Sequence, residues 1–139
     1  MHSAIIDNFK NYFTQMKFDY SDALNDIYSD HVVFKDPIHE IEGVKNLKAY
    51  FDKLNDNLIE GSFQFTDESI VDNKAYLSWE MQVKLKRPKK SIVASGISVL
   101  TLEDKVVHQR DYFDAGEMFY EHIPLLGSIL RSLKKKIAG

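Results

Sequence analysis

The sequence predicts an α+β cone, in which a curved antiparallel sheet is closed on its concave side by N-terminal helices and followed by one more helix at the C-terminus. Three observations carry that expectation. Apolar residues recur at steps of three and four through roughly the first sixty positions, they recur at steps of two from Ser62 onward, and the long alternating segments are separated only by short polar turns. Helices followed by strands, with links too short for crossovers, give a meander with helices packed on one face.

The first helix is marked by Ile5, Phe9, Tyr12, Phe13 and Met16, which form one apolar stripe. A second, short helix is expected from Ser21 to Tyr28, after the capping-type run Asp19-Tyr20-Ser21-Asp22, with Ala23, Leu24 and Ile27 turned inward. His31 to Lys35 reads as a strand that Asp36-Pro37 stops, because proline cannot donate to a ladder and restricts the residue before it. After Gly43, the series Val44, Leu47, Phe51, Leu54 and Leu58 predicts an amphipathic helix that closes near Gly61.

Leu77, Trp79, Met81, Val83 and Leu85 alternate with Ser78, Glu80, Gln82, Lys84 and Lys86, the signature of a strand with one face on a core. Further strands are expected over Phe63 to Val71, Ile92 to Leu102 and Lys105 to Asp114, with turns at Asp72-Asn73, around Pro88 and at Glu103-Asp104. Pro124 can open the last helix, where Leu126, Ile129, Leu130, Leu133 and Ile137 make a stripe opposite Arg131 and Lys134 to Lys136. Residues 1–139 therefore read as one domain, with 117–139 as an amphipathic helical extension. That stripe is expected to dock on its own sheet or a partner subunit, although its composition also suits a membrane surface.

With 139 residues and 44% hydrophobic content, the chain can bury a core without staples. The absence of cysteine excludes disulfides, thiolate metal sites and thiol nucleophiles. Asp7 and its polar neighbours interrupt the N-terminal segment where a secretory signal needs an apolar run, so the expected setting is soluble and cytoplasmic. Lys84, Lys86, Arg87, Lys89 and Lys90, with the four cations of the tail, hold half of the 18 basic residues; elsewhere 9 basic residues face 21 acidic ones. Such a body repels nucleic acid, and the first basic cluster reads as a solvated hairpin tip.

The chemistry-bearing feature is the segment His108 to Asp114. Alternation puts Asp111 on the apolar face with Val107, Gln109 and Phe113, where a carboxylate needs a partner, a raised pKa or a role in proton transfer. Arg110 should point the other way, with His108, Tyr112 and Asp114, on a polar aromatic face suited to an isologous homodimer. Asp36 is either a turn former or a second pocket acid, and Tyr12 either a core aromatic or a hydrogen-bond donor. His39 lies in the loop beside Asp36. The five histidines show no zinc-ligand spacing and no glycine loop cradles a phosphate, so neither metal nor cofactor is expected.

The order helix, helix, strand, helix, meander, the strand end Phe34-Lys35-Asp36-Pro37 followed by Gly43, and the strand Arg110-Asp111-Tyr112-Phe113-Asp114 together resemble the nuclear-transport-factor-2-like superfamily, especially its SnoaL-like small enzymes. The likeness covers nearly the whole chain. Asp36-Pro37 is similar to the Asp-Pro of ketosteroid isomerases, which implies a general base at Asp36 and an oxyanion-binding phenol at Tyr12. The strand 92–102 holds no acid where those isomerases keep a protonated one. The segment from Arg110 to Asp114 is similar to the part of limonene-epoxide hydrolases whose first Asp activates water. Trp79 and Met81 stand where those hydrolases carry Arg and Asp, which argues against epoxide opening. The resemblance to SnoaL-type polyketide cyclases implies an Asp at position 111 in a pocket walled by Trp79, Met81 and Phe113.

The resulting expectation is an enzyme for small apolar or polycyclic molecules, of isomerase, cyclase or dehydratase type. Asp111, Asp36 and Tyr12 would be catalytic, and Trp79, Met81, Phe113, Gln109 and His39 would contact substrate. The alternative is a ligand-binding or dimerisation module of the same fold.

Overall fold

A computed structural model describes residues 2–15, 21–114 and 124–138. The elements run α1 (Ser3–Thr14), α2 (Ser21–Ile27), β1 (Tyr28–Lys35), β2 (Glu40–Glu42), α3 (Val44–Asp56), β3 (Leu58–Val71), β4 (Lys74–Leu85), β5 (Lys90–Leu102), β6 (Val106–Phe113) and α4 (Pro124–Ala138). Strands β3 to β6 form the expected meander. The six-stranded curved sheet is mixed rather than wholly antiparallel, with order β2-β1-β6-β5-β4-β3, because β1 enters beside β6 in parallel. β1 and β6 are far apart in sequence, with α3 and three strands of the meander between them, so no hairpin makes them antiparallel.

Helix α1 buries Ile6, Phe9, Tyr12 and Phe13, and Lys10 joins it to β3 through Glu68 at 2.6 Å. Ile6 rather than Ile5 is the buried member of the first turn. The expected second helix stops at Ile27, and Tyr28 instead opens β1 with its side chain fully buried. Met16, Asp19 and Tyr20, assigned above to a stripe and a cap, lie outside the described residues.

Gly43 joins β2 to α3 with φ +87°, a conformation that favours glycine, and its N–H donates to the Val32 carbonyl at 2.8 Å. Val44, Leu47 and Phe51 are buried as their spacing requires, but α3 ends at Asp56. Leu58 begins β3 and Gly61 lies within it, so the expected closure near Gly61 is corrected. Asn57 ends the helix early. Its amide accepts from the Arg87 N–H at 3.0 Å and donates to the Arg87 carbonyl at 2.9 Å, which ties the end of α3 to the β4–β5 turn.

Val71 pairs with Lys74, leaving a two-residue turn in which Asp72 has φ +54°, a geometry that twisted hairpins favour. On β4 and β5 burial follows a period of two: Ala75, Leu77, Trp79 and Val83 on one strand, and Ile92, Ala94, Ser98, Leu100 and Leu102 on the other, face the core. The helices close over this face through rings. Phe9 and Phe13 lie 4.7 Å apart, Phe13 and Phe51 5.6 Å, and Phe13 and Phe63 5.8 Å.

In α4, the described side chains of Ile129, Leu133 and Ile137 are exposed rather than docked on the chain's own sheet. Lys134 pairs with Asp114 just past β6. Among the described residues, no helix is long and apolar enough to cross a membrane.

Candidate functional site

The inner face of the sheet is a grid. Ser98 pairs with Leu77 on one side and Asp111 on the other, while Gly96 pairs with Trp79 and Phe113. Alternation therefore brings Ser98, Asp111, Gln109, Trp79 and Phe113 to one surface. Val107 does not join them. The pairing slips between Leu102–Val106 and Thr101–His108, a bulge that puts Val106 in the core and leaves Val107 half-buried.

Asp111 is held by one oxygen. Its Oδ1 accepts from Ser98 Oγ at 2.6 Å and from Gln109 Nε2 at 2.9 Å. Each donor is fixed from behind: Trp79 Nε1 donates to Ser98 Oγ at 3.0 Å, which directs the hydroxyl proton to the carboxylate, and Tyr28 donates to Gln109 Oε1 at 2.6 Å, which turns the amide nitrogen to Asp111. Among the described residues, no hydrogen bond reaches Oδ2. Burial pushes the Asp111 pKa up to about 6, the bonds from Ser98 and Gln109 oppose the rise, and the nearby Asp36 charge adds to it.

The second acid arrives through the parallel pairing. Lys35 pairs with Arg110, so Asp36, the first residue past β1, comes beside Asp111, which continues within β6. Asp36 is 5% exposed, and its Oδ1 accepts the backbone N–H groups of Ile38 and His39 at 2.8 and 2.6 Å. This closes the turn that Pro37 forces. His39 Nδ1 lies 3.2 Å from the same oxygen, with its ring on Tyr50 at 4.7 Å. Tyr50 reaches Asp36 Oδ2 at 3.4 Å. Burial and the charges of Asp36 and Asp111 hold the Tyr50 hydroxyl far above its ordinary range, so it stays protonated.

Tyr12 packs edge-on against Phe13 at 5.1 Å and lies near enough to Tyr28 to raise its pKa, after burial and Asp111. Trp79 is buried against Phe63 at 5.0 Å and Phe113 at 6.3 Å, while Met81 sits half-buried opposite Phe63 and Ala94. Gln109 is 1% exposed, with both ends of its amide engaged inside the protein. It therefore holds Asp111, and in this conformation it offers little to a substrate. On the opposite face Arg110 stacks on Tyr112 at 4.9 Å, as alternation requires.

Three site residues escaped the sequence reading. Ser98 is the one hydroxyl among the apolar inner positions of β5, and a stricter use of the period of two would have found it. Tyr50 precedes Phe51 on the edge of a helical stripe, and Tyr28 was assigned to a helix end; neither carries a signal without the tertiary fold. Separately, a groove of about 570 Å³ lined by Asn25, Asp30, Lys45 and Lys48 lies between α2 and α3 and includes none of these residues. Among the described residues, no group of three metal-ligating side chains could hold an ion.

The family model for the SnoaL-like domain matches residues 7–109. The chain belongs to the SnoaL-like family. No curated protein matches the sequence. Among solved structures, this SnoaL-like protein is similar to one described as a SnoaL-like polyketide cyclase from Jannaschia sp. CCS1, with TM-score 0.71 and 10% identity over 81% of this chain and 86% of that one. It is also similar to an LEH-like epoxide hydrolase from M. tuberculosis, with TM-score 0.69 and 14% identity over 97% and 93%. A third is a Catenulispora acidiphila protein with a ketosteroid isomerase-like fold in complex with trimethylamine, with TM-score 0.71 and 9% identity over 82% and 88%. At these identities the likeness is one of fold.

Proposed function

We propose that this SnoaL-like protein is a cofactor-independent enzyme that moves a proton on a small, largely apolar substrate, in an isomerase, cyclase or dehydratase reaction. The observation that carries the reading is Asp111, a carboxylate with one oxygen anchored, the other without a hydrogen bond from the described residues, and a pKa near the pH at which a general base works best. Oδ2 takes the proton from carbon. Asp36 sets the field beside the base, and the phenols of Tyr12 and Tyr50 donate to the oxyanion that forms. Trp79, Met81 and Phe113 wall the substrate, His39 closes the edge nearest Asp36, and Ser98 and Gln109 act as positioning residues. We also propose that the outer sheet face pairs two copies of the chain.

The test is solvent-deuterium exchange at carbon next to a carbonyl in a panel of unsaturated cyclic ketones and β-dicarbonyl compounds. Saturable exchange that Asp111→Asn lowers by about 100-fold or more supports the base. Compounds that bind the folded protein, with no exchange above buffer, would instead establish a binding module, the reading favoured by the many rings that crowd the interior of the cone.

A further inference from the structure

Asp36 has a neighbour that its turn does not require. The backbone N–H groups of Ile38 and His39 already close the turn on Asp36 Oδ1, yet the His39 ring folds back until Nδ1 lies 3.2 Å from Oδ1 and 3.4 Å from Oδ2. The ring also rests against Tyr50 at 4.7 Å. The imidazole is thus held at its main chain, at one nitrogen and by a neighbouring ring. Its side chain is nevertheless 40% exposed, against 4% for Asp36.

A carboxylate only accepts hydrogen bonds and an imidazole nitrogen can do either, so Nδ1 carries the hydrogen between them. Any proton that the ring gains or loses is then the one on Nε2, which no hydrogen bond reaches among the described residues. Asp36 links this ring to the base. Its charge raises Asp111, and Tyr50, against which the imidazole lies, feels the charges of both acids. One buried carboxylate therefore has a proton carrier on each of two sides of its neighbourhood, Asp111 Oδ2 and His39 Nε2.

Two carriers discriminate among isomerase, cyclase and dehydratase reactions. Moving a proton from one carbon to another needs a single carboxylate that takes it and returns it. Expelling a hydroxyl from the β carbon of a ketone needs a base for carbon and an acid for oxygen, because hydroxide is a poor leaving group. Resting on the reading of Asp111 as the base, we propose that His39 is the general acid of a dehydratase whose substrates are β-hydroxy ketones. Asp111 Oδ2 takes the α proton, and the electrons of that C–H bond form the new C=C bond. The C–O bond breaks as its oxygen takes the Nε2 proton and departs as water. Protonated Asp111 and the neutral imidazole regain their starting states by exchange with solvent, to which His39 is open.

The experiment compares two leaving groups on the β carbon of a cyclohexanone: hydroxide, which must be protonated, and nitrophenoxide, which leaves without a proton. The intact protein should release both. His39→Gln and His39→Phe, the second of which keeps a ring against Tyr50, should each lower the release of water at least about 100-fold more than the release of nitrophenoxide. Equal effects on the two leaving groups would overturn the proposal, since His39 would then shape the site without donating. Deuterium exchange at the α carbon of the intact protein's substrate without any release of water overturns it too, and leaves Asp111 as the base. Absence of that exchange removes base and acid together. Nitrogen NMR of the intact protein should find the neutral His39 ring with its hydrogen on Nδ1; a hydrogen on Nε2 alone breaks the pair with Asp36 and sinks the proposal however the variants behave.

Discussion

Ser98 and Asp111 face each other across β5 and β6, and the serine hydroxyl donates to the carboxylate at 2.6 Å because the Trp79 indole occupies its acceptor side. This bond is one of two that restrain the pKa of a base which burial drives upward. Ser98→Ala should therefore raise the Asp111 pKa above about 6, and carboxyl-carbon NMR titration would read the shift. The same change orphans a buried indole N–H, at a cost of about 1–3 kcal/mol. An unmoved titration would mean that Ser98 supports the fold without tuning the acid.

Asp111→Asn should separate stability from chemistry. The asparagine oxygen can still accept from Ser98 and Gln109, while the buried charge is gone. A carboxyl whose folded pKa is raised from 3.8 to about 6 binds its proton more tightly in the folded state. Its penalty is absent below pH 4, grows as pH rises through the interval, and is complete above about 6. The variant should match the parent near pH 3.5 and exceed it at pH 7.5, by at most about 3 kcal/mol in urea unfolding. Equal stability at both pH values would mean that Asp111 is not raised.

Asp36 serves both the turn and the field. Asp36→Asn keeps an oxygen for the Ile38 and His39 N–H groups and removes the charge that raises its neighbour, so the Asp111 pKa should fall. Asp36→Ala should also lose about 1–3 kcal/mol of stability, because the Ile38 and His39 N–H groups lose a charged acceptor. NMR titration of Asp111 checks the first claim and urea unfolding the second. A stable Ala variant would deny the turn its importance.

The outer sheet face presents Tyr76, Val93 and Tyr112, 38%, 61% and 50% exposed. Val93→Glu with Tyr112→Glu should convert the proposed dimer to monomer, as sedimentation velocity would show. An intact protein that already sediments as a monomer at high concentration would remove this assembly.

The sequence made the period-two face of β4 and the Asp111 alternation legible because both are local properties of a strand. The bulge at Val107 was not legible, since it depends on how Val106 and His108 meet β5. That Asp36 could share a pocket with Asp111 was legible, but the means was not: the parallel register of β1 with β6, a tertiary fact, brings them together. Helix α3 ends short of Gly61 because Asn57 finds a better partner in the distant Arg87 backbone than in another turn of helix.

Gly96 controls the site without touching a carboxylate. A Cβ built there would lie 2.5 Å from the Tyr112 carbonyl oxygen and 2.6 Å from the Trp79 ring, both inside the closest ordinary contact. The carbonyl belongs to the neighbouring strand and cannot retreat without parting β5 from β6. The indole can swing, but only by withdrawing its N–H from Ser98, which frees the serine hydroxyl to turn away from Asp111. Gly96→Ala should thus destabilise the fold by about 1–3 kcal/mol, the usual cost of an overpacked core. Trp79 is the only tryptophan in the chain, so its fluorescence reports this site alone. The expected result is a changed emission maximum together with a changed Asp111 titration. A folded variant with parental emission and an unchanged titration would show that the ring does not transmit the contact to the acid.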